Sequence, residues 1–163
     1  MDVAELTALA HQLGQDGFQA RFPHLFLVLT DDKETGSAQF STQVVSRREV
    51  VRKSSGGGAL RVLPLVKAPG NPYSDRISIG RARNCDVVIR DPSVSKLHAH
   101  IRREPNGAWV VIDLDSHNGT AVSSVPILPS RAEPLRPGEY ITFGGVTARV
   151  VDAGQLYALL MQQ

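Results

Sequence analysis

The sequence predicts a mainly β protein: an antiparallel β-sandwich with a short N-terminal helix-plus-strands extension and a short C-terminal helix. From Leu60 onward, short apolar segments recur at roughly 8–12-residue spacing, separated by turns that contain glycine or proline. Helices do not alternate with these strands and no long-period repeat is visible, which disfavours the nucleotide-binding α/β folds. The length of 163 residues and the hydrophobic content of 42% are ordinary for a globular domain.

The N-terminal part of the chain predicts one helix and two or three strands. Apolar residues at helical spacing indicate a helix over residues 2–13, and Gly14 is its expected end. The compact apolar run His24–Thr30 indicates a buried strand, and the polar residues 31–37 predict a turn. Residues 40–52 are rich in valine and predict one or two further strands.

The sequence SSGGG at Ser54–Gly58 predicts a flexible linker or loop tip. We therefore divide the chain into an N-terminal extension, residues 1–58, and a sandwich domain with a C-terminal helix, residues 59–163. An extension of this size is small for an independent domain, so we expect it to pack on the sandwich. Two roles are open for its apolar run Leu25–Leu29, which could either cover a sheet edge or mediate a homodimer.

The sandwich part predicts short strands closed by turn signals such as Asn106-Gly107 and Asn118-Gly119. In one of them, Leu97, Ala99 and Ile101 are expected to share a face by alternation. The predicted strands are Leu60–Lys67, Arg76–Ile79, Asp86–Ile89, Leu97–Arg103, Trp109–Leu114, Thr120–Val122, Tyr140–Phe143 and Thr147–Val151, and a short helix is predicted over Gly154–Met161.

Composition and charge exclude several classes of function. The single cysteine, Cys85, cannot form an intrachain disulfide or a Cys-rich zinc module, so a reducing cytoplasm is the expected compartment. The net charge of +2 gives little support to nucleic-acid binding. The longest clean apolar run, Leu25–Leu29, is far shorter than the roughly 18 residues of a membrane span, so no membrane association is expected.

Polar residues at the predicted strand ends form three clusters that suit an anion. They are Gly80-Arg81, Ser95–His98 and Ser116–Thr120. Together they supply a guanidinium, an ammonium, hydroxyls, an imidazole and a carboxamide, nearly all of them hydrogen-bond donors. A phosphomonoester carries about −1.5 to −2 charges and strong acceptor oxygens, and it is the ligand that such a set would recognise.

These clusters, in this order and at these intervals, resemble the forkhead-associated (FHA) domain. The similarity covers roughly residues 60–152 and includes Ile79-Gly80-Arg81, Val94–Ile101 and Asn118-Gly119-Thr120. It implies a β-sandwich that binds phosphothreonine peptides through loops at one end. Within this resemblance, the implied phosphopeptide-binding residues are Arg81, Ser95, Lys96, His117 and Asn118.

The resemblance also assigns these residues individual roles. Arg81 would be the main phosphate contact, and Ser95 would hydrogen-bond the phosphate through its hydroxyl. Lys96 would contact the phosphate or the neighbouring peptide. His117 would line the phosphothreonine pocket, and Asn118 would hold the peptide backbone. The residues implied to support the site structurally are Gly80, His98, Gly119 and Thr120.

The sequence departs from the family pattern at two positions, and its N-terminal extension has no counterpart in a minimal FHA domain. Val122-Ser123-Ser124 stands where a second Asn-Gly is often found, which changes a turn. His117 stands where threonine or a basic residue is common, and a histidine beside a phosphate would make binding depend on pH near neutrality.

Three alternative sites are weak on the sequence alone. His98 and His100 are too few for a zinc site. Asp113 and Asp115 are expected to be solvated carboxylates, and Cys85 lacks an identifiable base, so we expect no catalytic residue, metal or cofactor.

The sequence therefore predicts a non-catalytic phosphothreonine-dependent interaction module in Ser/Thr kinase signalling. Its partner would be a threonine-phosphorylated protein or a Ser/Thr kinase. A phospho-independent interaction or oligomerisation module on the same fold is the alternative, since fold does not determine function.

Overall fold

The computed structural model describes residues 2–30 and 60–163, and within them the chain forms two helices and eleven strands. The helices are α1 (Val3–Arg21) and α2 (Ala153–Leu160). The strands are β1 (Phe26–Thr30), β2 (Leu60–Pro64), β3 (Ile77–Gly80), β4 (Val87–Val88), β5 (Ala99–Arg103), β6 (Trp109–Asp113), β7 (Thr120–Val122), β8 (Val125–Pro126), β9 (Ala132–Leu135), β10 (Tyr140–Phe143) and β11 (Val146–Val151).

The strands form two sheets that enclose the main apolar core. One sheet has six strands in the order β2-β1-β11-β10-β7-β8, and the other has five in the order β4-β3-β5-β6-β9. The pairings are antiparallel except β3–β4, which is parallel. Fully buried residues of both sheets, such as Ile79 and Ile101 from one and Ile141 and Phe143 from the other, fill this core. The predicted mainly β sandwich is confirmed.

Strand β1, predicted as part of an extension, lies inside the larger sheet. Phe26 pairs with Pro64 of β2 on one side and with Val151 of β11 on the other. Its side chains alternate between two buried faces, which explains the unbroken apolar run Leu25–Leu29. The segments on either side of the predicted boundary therefore share one sheet. The run is buried within its own chain, so it offers no dimer surface. A homodimer through the rest of the N-terminal extension stays a prediction.

The two helices pack on the outer face of the larger sheet and form a second apolar core. Phe18 of α1 and Leu156 of α2 are fully buried there, together with Phe26 and Val151 of the sheet. This packing extends α1 beyond its predicted end. Gly14 takes a non-helical conformation with φ 65°, but the helix continues after it to Arg21.

Several predicted strand limits need correction. Strands β8 and β9 were not predicted, because β8 has two residues and β9 is an edge strand that contains Pro134. Leu97 does not share a buried face with Ala99 and Ile101: it precedes β5 and is exposed. The predictions for residues 31–37, 40–52 and 54–58 fall outside the described residues.

Within residues 2–30 and 60–163, neither helix combines the length and the apolar content that crossing a bilayer requires.

Candidate functional site

Three loops at one end of the sandwich enclose a cleft with a volume of about 460 Å³. They are the loops that connect β3 to β4, β4 to β5, and β6 to β7. All five residues predicted to bind phosphopeptide line this cleft. The lining residues are Arg81, Pro92, Ser93, Val94, Ser95, Lys96, Leu97, His117 and Asn118.

Arg81 is held in place by the neighbouring loop. Its backbone N–H donates to the Ser95 carbonyl (3.0 Å), and its side-chain Nε donates to the Val94 carbonyl (3.0 Å). The side chain is exposed, and its two terminal amino groups have no hydrogen-bond partner among the described residues. The guanidinium is thus held by one nitrogen, and the other two retain their N–H groups as donors for a ligand.

Gly80, which precedes Arg81, is required by the close packing of the two loops. A Cβ at this position would clash with the Lys96 carbonyl oxygen and lie 3.0 Å from Cys85 Sγ. The Lys96 carbonyl also accepts from the Ala82 N–H (3.1 Å) and from Cys85 Sγ (3.2 Å). Burial raises the pKa of the Cys85 thiol, so it stays protonated and serves as a hydrogen-bond donor.

Ser95 lies in the cleft, and its hydroxyl oxygen already accepts one hydrogen bond within the chain. Its Oγ accepts from the backbone N–H of His117 (3.0 Å), which links the loops. The hydroxyl hydrogen remains able to donate to an anion. The Ser95 N–H donates to Nδ1 of His98 (3.0 Å), so that nitrogen carries no proton.

The tautomer of His98 follows from these contacts. Because Nδ1 accepts, Nε2 carries the proton and donates to the Gly119 carbonyl (3.0 Å). Burial lowers the pKa of His98, although the Gly119 carbonyl and the charge of Asp113 oppose it. The buried imidazole is therefore a neutral bridge between the loop that contains Ser95 and the loop that contains Asn118.

Asp113 anchors the loop that follows β6, and its expected solvation is wrong. The carboxylate is buried and accepts from Ser116 N–H (3.0 Å), Ser116 Oγ (2.5 Å) and Thr120 Oγ1 (2.6 Å). Burial acts to raise the pKa of Asp113, but the hydrogen bonds from Ser116 and Thr120 outweigh it and lower the pKa. Asp115 is exposed, as expected, with a positive φ of 54°.

Asn118 is positioned by Ser93, a residue that the sequence analysis missed. Its Nδ2 donates to the Ser93 carbonyl (2.8 Å), which leaves the amide oxygen to accept from a peptide N–H. Ser93 Oγ donates to Asp91 Oδ1 (2.6 Å) and accepts from Gly145 N–H (2.8 Å). The Asp-Pro-Ser sequence at 91–93 was the available signal, because Asp91 also accepts from the Ser93 N–H, which makes an Asx turn.

The cleft is chemically suited to an anion. Arg81 and Lys96 are exposed cations at its rim, and none of the described lining residues is acidic. The described residues contain no group of three or more His, Cys, Asp or Glu that could hold a metal ion. Both ring nitrogens of His98 are already engaged.

Comparison with known proteins agrees with this geometry. The FHA domain family model matches residues 77–144, which include all three loops of the cleft. Over 51 residues, the chain is 41% identical to Protein FraH of Nostoc, a match that covers 31% of this chain and 17% of FraH. It is 32% identical over 96 residues to the Oxoglutarate dehydrogenase inhibitor of Corynebacterium diphtheriae, covering 58% of this chain and 64% of that protein.

A solved structure shares the fold. The FHA domain of the CT664 protein from Chlamydia trachomatis superposes with a TM-score of 0.51 at 19% identity, over 78% of this chain and 97% of that domain. The first curated relatives are much longer than the matched region, which spans 20% of an FHA domain-containing protein of Arabidopsis thaliana and 17% of FraH. Residues 77–144, which contain the loops that build the cleft, match the forkhead-associated domain family.

Proposed function

We propose that the chain is a phosphothreonine-dependent protein-interaction module. The observation that carries the proposal is the convergence of Arg81, Ser95, Lys96, His117 and Asn118, from three loops, on one cleft without an acidic lining residue. The proposed partner is a threonine-phosphorylated protein or a Ser/Thr kinase, in a cytoplasmic signalling context. No catalytic step is proposed.

The proposed mechanism is the replacement of the phosphate's hydration by fixed donors. The two terminal amino groups of Arg81 suit two phosphate oxygens, and Lys96 adds a second positive charge. The Ser95 hydroxyl donates a hydrogen bond to the phosphate. The hydrogen bond that the Ser95 oxygen accepts from the His117 N–H keeps the hydroxyl oriented. Each charge-assisted hydrogen bond contributes about 1.5–3 kcal/mol, so removal of the phosphate weakens binding by orders of magnitude.

Asn118 serves the peptide backbone in this proposal. Its side-chain amide is held by the Ser93 carbonyl through one N–H, and the residue is exposed and lines the cleft. An amide that both donates and accepts can pair with a peptide group beside the phosphothreonine. The phosphate thus supplies affinity, and Asn118 aligns the bound strand.

Calorimetric titration with a degenerate phosphothreonine peptide pool tests the proposal. Phosphoserine and unphosphorylated pools run beside it. We expect binding to the phosphothreonine pool alone, weakened by at least about a hundredfold in Arg81→Ala because two charge-assisted hydrogen bonds are lost. Arg131→Ala, which removes an exposed arginine outside the cleft, is the matched control and should bind as the unaltered chain does. Equal binding of the unphosphorylated pool, or unchanged affinity in Arg81→Ala, would contradict the proposal.

A further inference from the structure

A second depression, here called the β2–β3 groove, adjoins the cleft. It has a volume of about 660 Å³ and lies beside the loop that connects β2 to β3. Lys96 and Leu97 line both the groove and the cleft, so the two share this segment as a wall. The groove is lined by residues 67–73, 76, 78, 82–85, 96–97 and 100.

The groove is lined by exposed apolar side chains, of which Tyr73 has its ring centroid 5.3 Å from the guanidinium carbon of Arg76. Tyr73 is 61% exposed and Leu97 is 48% exposed, and Pro69 and Pro72 extend the same wall. Leu97 lies where the groove meets the cleft, in the loop segment that also carries Ser95 and Lys96. An exposed apolar cluster of this kind, next to a polar binding site, is typical of a surface that contacts a ligand.

Hydrogen bonds within the chain hold the wall of the groove in place. The Asp86 carboxylate, whose side chain is fully buried, accepts from Lys67 Nζ (2.9 Å), Ala68 N–H (2.7 Å) and Ser78 N–H (2.8 Å). Asn71 Nδ2 donates to Ser78 Oγ (3.3 Å). These bonds attach the loop after β2 to the outer face of β3, so little ordering is needed on binding.

The charges around the groove favour an anionic chain. Lys67 is neutralised by Asp86, and Arg76 by Asp75 at 2.9 Å. The remaining cations of the lining, Arg83 and Lys96, form no ion pair with the described residues. A phosphorylated peptide is complementary to this balance, whereas a basic segment is not.

We propose that the β2–β3 groove is a second subsite for the same phosphothreonine peptide, where it holds a bulky apolar side chain that flanks the phosphothreonine. This inference rests on the proposed function of the cleft. An extended peptide advances about 3.3 Å per residue, so a strand anchored in the cleft reaches the shared wall at Leu97 within a few residues. The groove then decides which phosphorylated sequences are bound, while the cleft decides that they must be phosphorylated.

The test compares peptides that differ only in their flanks. The reference is a phosphothreonine peptide with alanine at all neighbouring positions, and two sets replace each alanine in turn by leucine, one set before and one after the phosphothreonine. We expect leucine at one or two positions of a single flank to raise the affinity about tenfold, as burial of a bulky apolar side chain does. Tyr73→Ser should remove most of this gain and leave binding of the alanine peptide unchanged.

Two further variants separate the groove from general effects. Tyr73→Phe keeps the apolar ring and should keep the gain. Tyr140→Ser, which removes a similarly exposed tyrosine of β10 outside both depressions, should behave as the unaltered chain.

If the alanine peptide binds but leucine adds nothing in either flank, or the gain persists in Tyr73→Ser, the groove is not a subsite. Failure of the alanine peptide to bind at all refutes the function proposed for the cleft, and the subsite inference fails with it.

Discussion

The turn between β10 and β11 offers a sharp test of how the site is held together. Gly144 lies in this turn with φ +59°, and its N–H donates to the Gly119 carbonyl (3.0 Å). A Cβ at Gly144 would clash with the carbonyl oxygen of Ser93 and lie 2.8 Å from its carbonyl carbon. That carbonyl oxygen accepts the hydrogen bond from Asn118, so Gly144→Ala should displace the acceptor that positions Asn118 in the cleft.

Two costs add in this variant. An alanine in the left-handed region costs about 1–2 kcal/mol relative to glycine. Overpacking against backbone atoms that cannot rotate away adds about 1–3 kcal/mol. We therefore expect Gly144→Ala to lower the free energy of unfolding by about 2–5 kcal/mol.

The control is Gly107→Ala, in the turn between β5 and β6. Gly107 also has a positive φ, +86°, but a Cβ there would meet only the end of the Arg103 side chain, at 3.8 Å. It therefore carries the conformational cost without the clash. Urea unfolding measures the free energy for both variants. Equal destabilisation of the two would refute the argument that Ser93 and Gly144 are in forced contact, as would Gly144→Ala leaving both stability and phosphopeptide affinity unchanged.

Two further predictions concern the buried polar residues behind the cleft. Asp113→Asn replaces an acceptor of three hydrogen bonds with a group that must present N–H to Ser116 or Thr120. It should lower the free energy of unfolding in urea by about 2–3 kcal/mol. Asp115→Asn, at an exposed position, should change it by no more than about 0.5 kcal/mol. Burial holds the pKa of His98 below 6.5 in the folded chain, so the unfolded chain takes up the proton first as pH falls. The contribution of neutral His98 to the free energy of unfolding should be fully present above about pH 6.5 and be lost as the pH falls through the folded pKa. Urea unfolding midpoints measured at pH 7.5 and 5.5 should therefore show a decline. An equal decline in His98→Gln would contradict this assignment.

The local parts of this molecule were predictable because each depends on neighbouring residues. Alternation and turn residues indicated Thr120–Val122 and Tyr140–Phe143 with the limits that the structure has. The donor-rich clusters at the strand ends also identified Arg81 and Asn118 as candidates. A loop between two sandwich strands must emerge at one end of the sheets, so residues far apart in the chain were expected to meet there.

The tertiary structure alone decided which groups are buried and which are exposed. Nothing near Asp113 in the sequence distinguishes it from Asp115, yet one is a buried acceptor of three hydrogen bonds and the other is solvated. Ser93 acquires its role only because the turn at Gly144 approaches it from about fifty residues away, a separation the structure shows in the Ser93–Gly145 hydrogen bond.

The place of β1 likewise depended on long-range pairing. Its apolar run indicated a buried strand, but a run buried on both faces carries no information about its neighbours. Only the pairing with β2 and β11 shows that the N-terminal segment completes the sheet under the two helices. The amino-acid sequence determined most of the strands and the chemistry of the loops, because both arise from local residue types. The partners of each buried group depend on which segments the fold brings together.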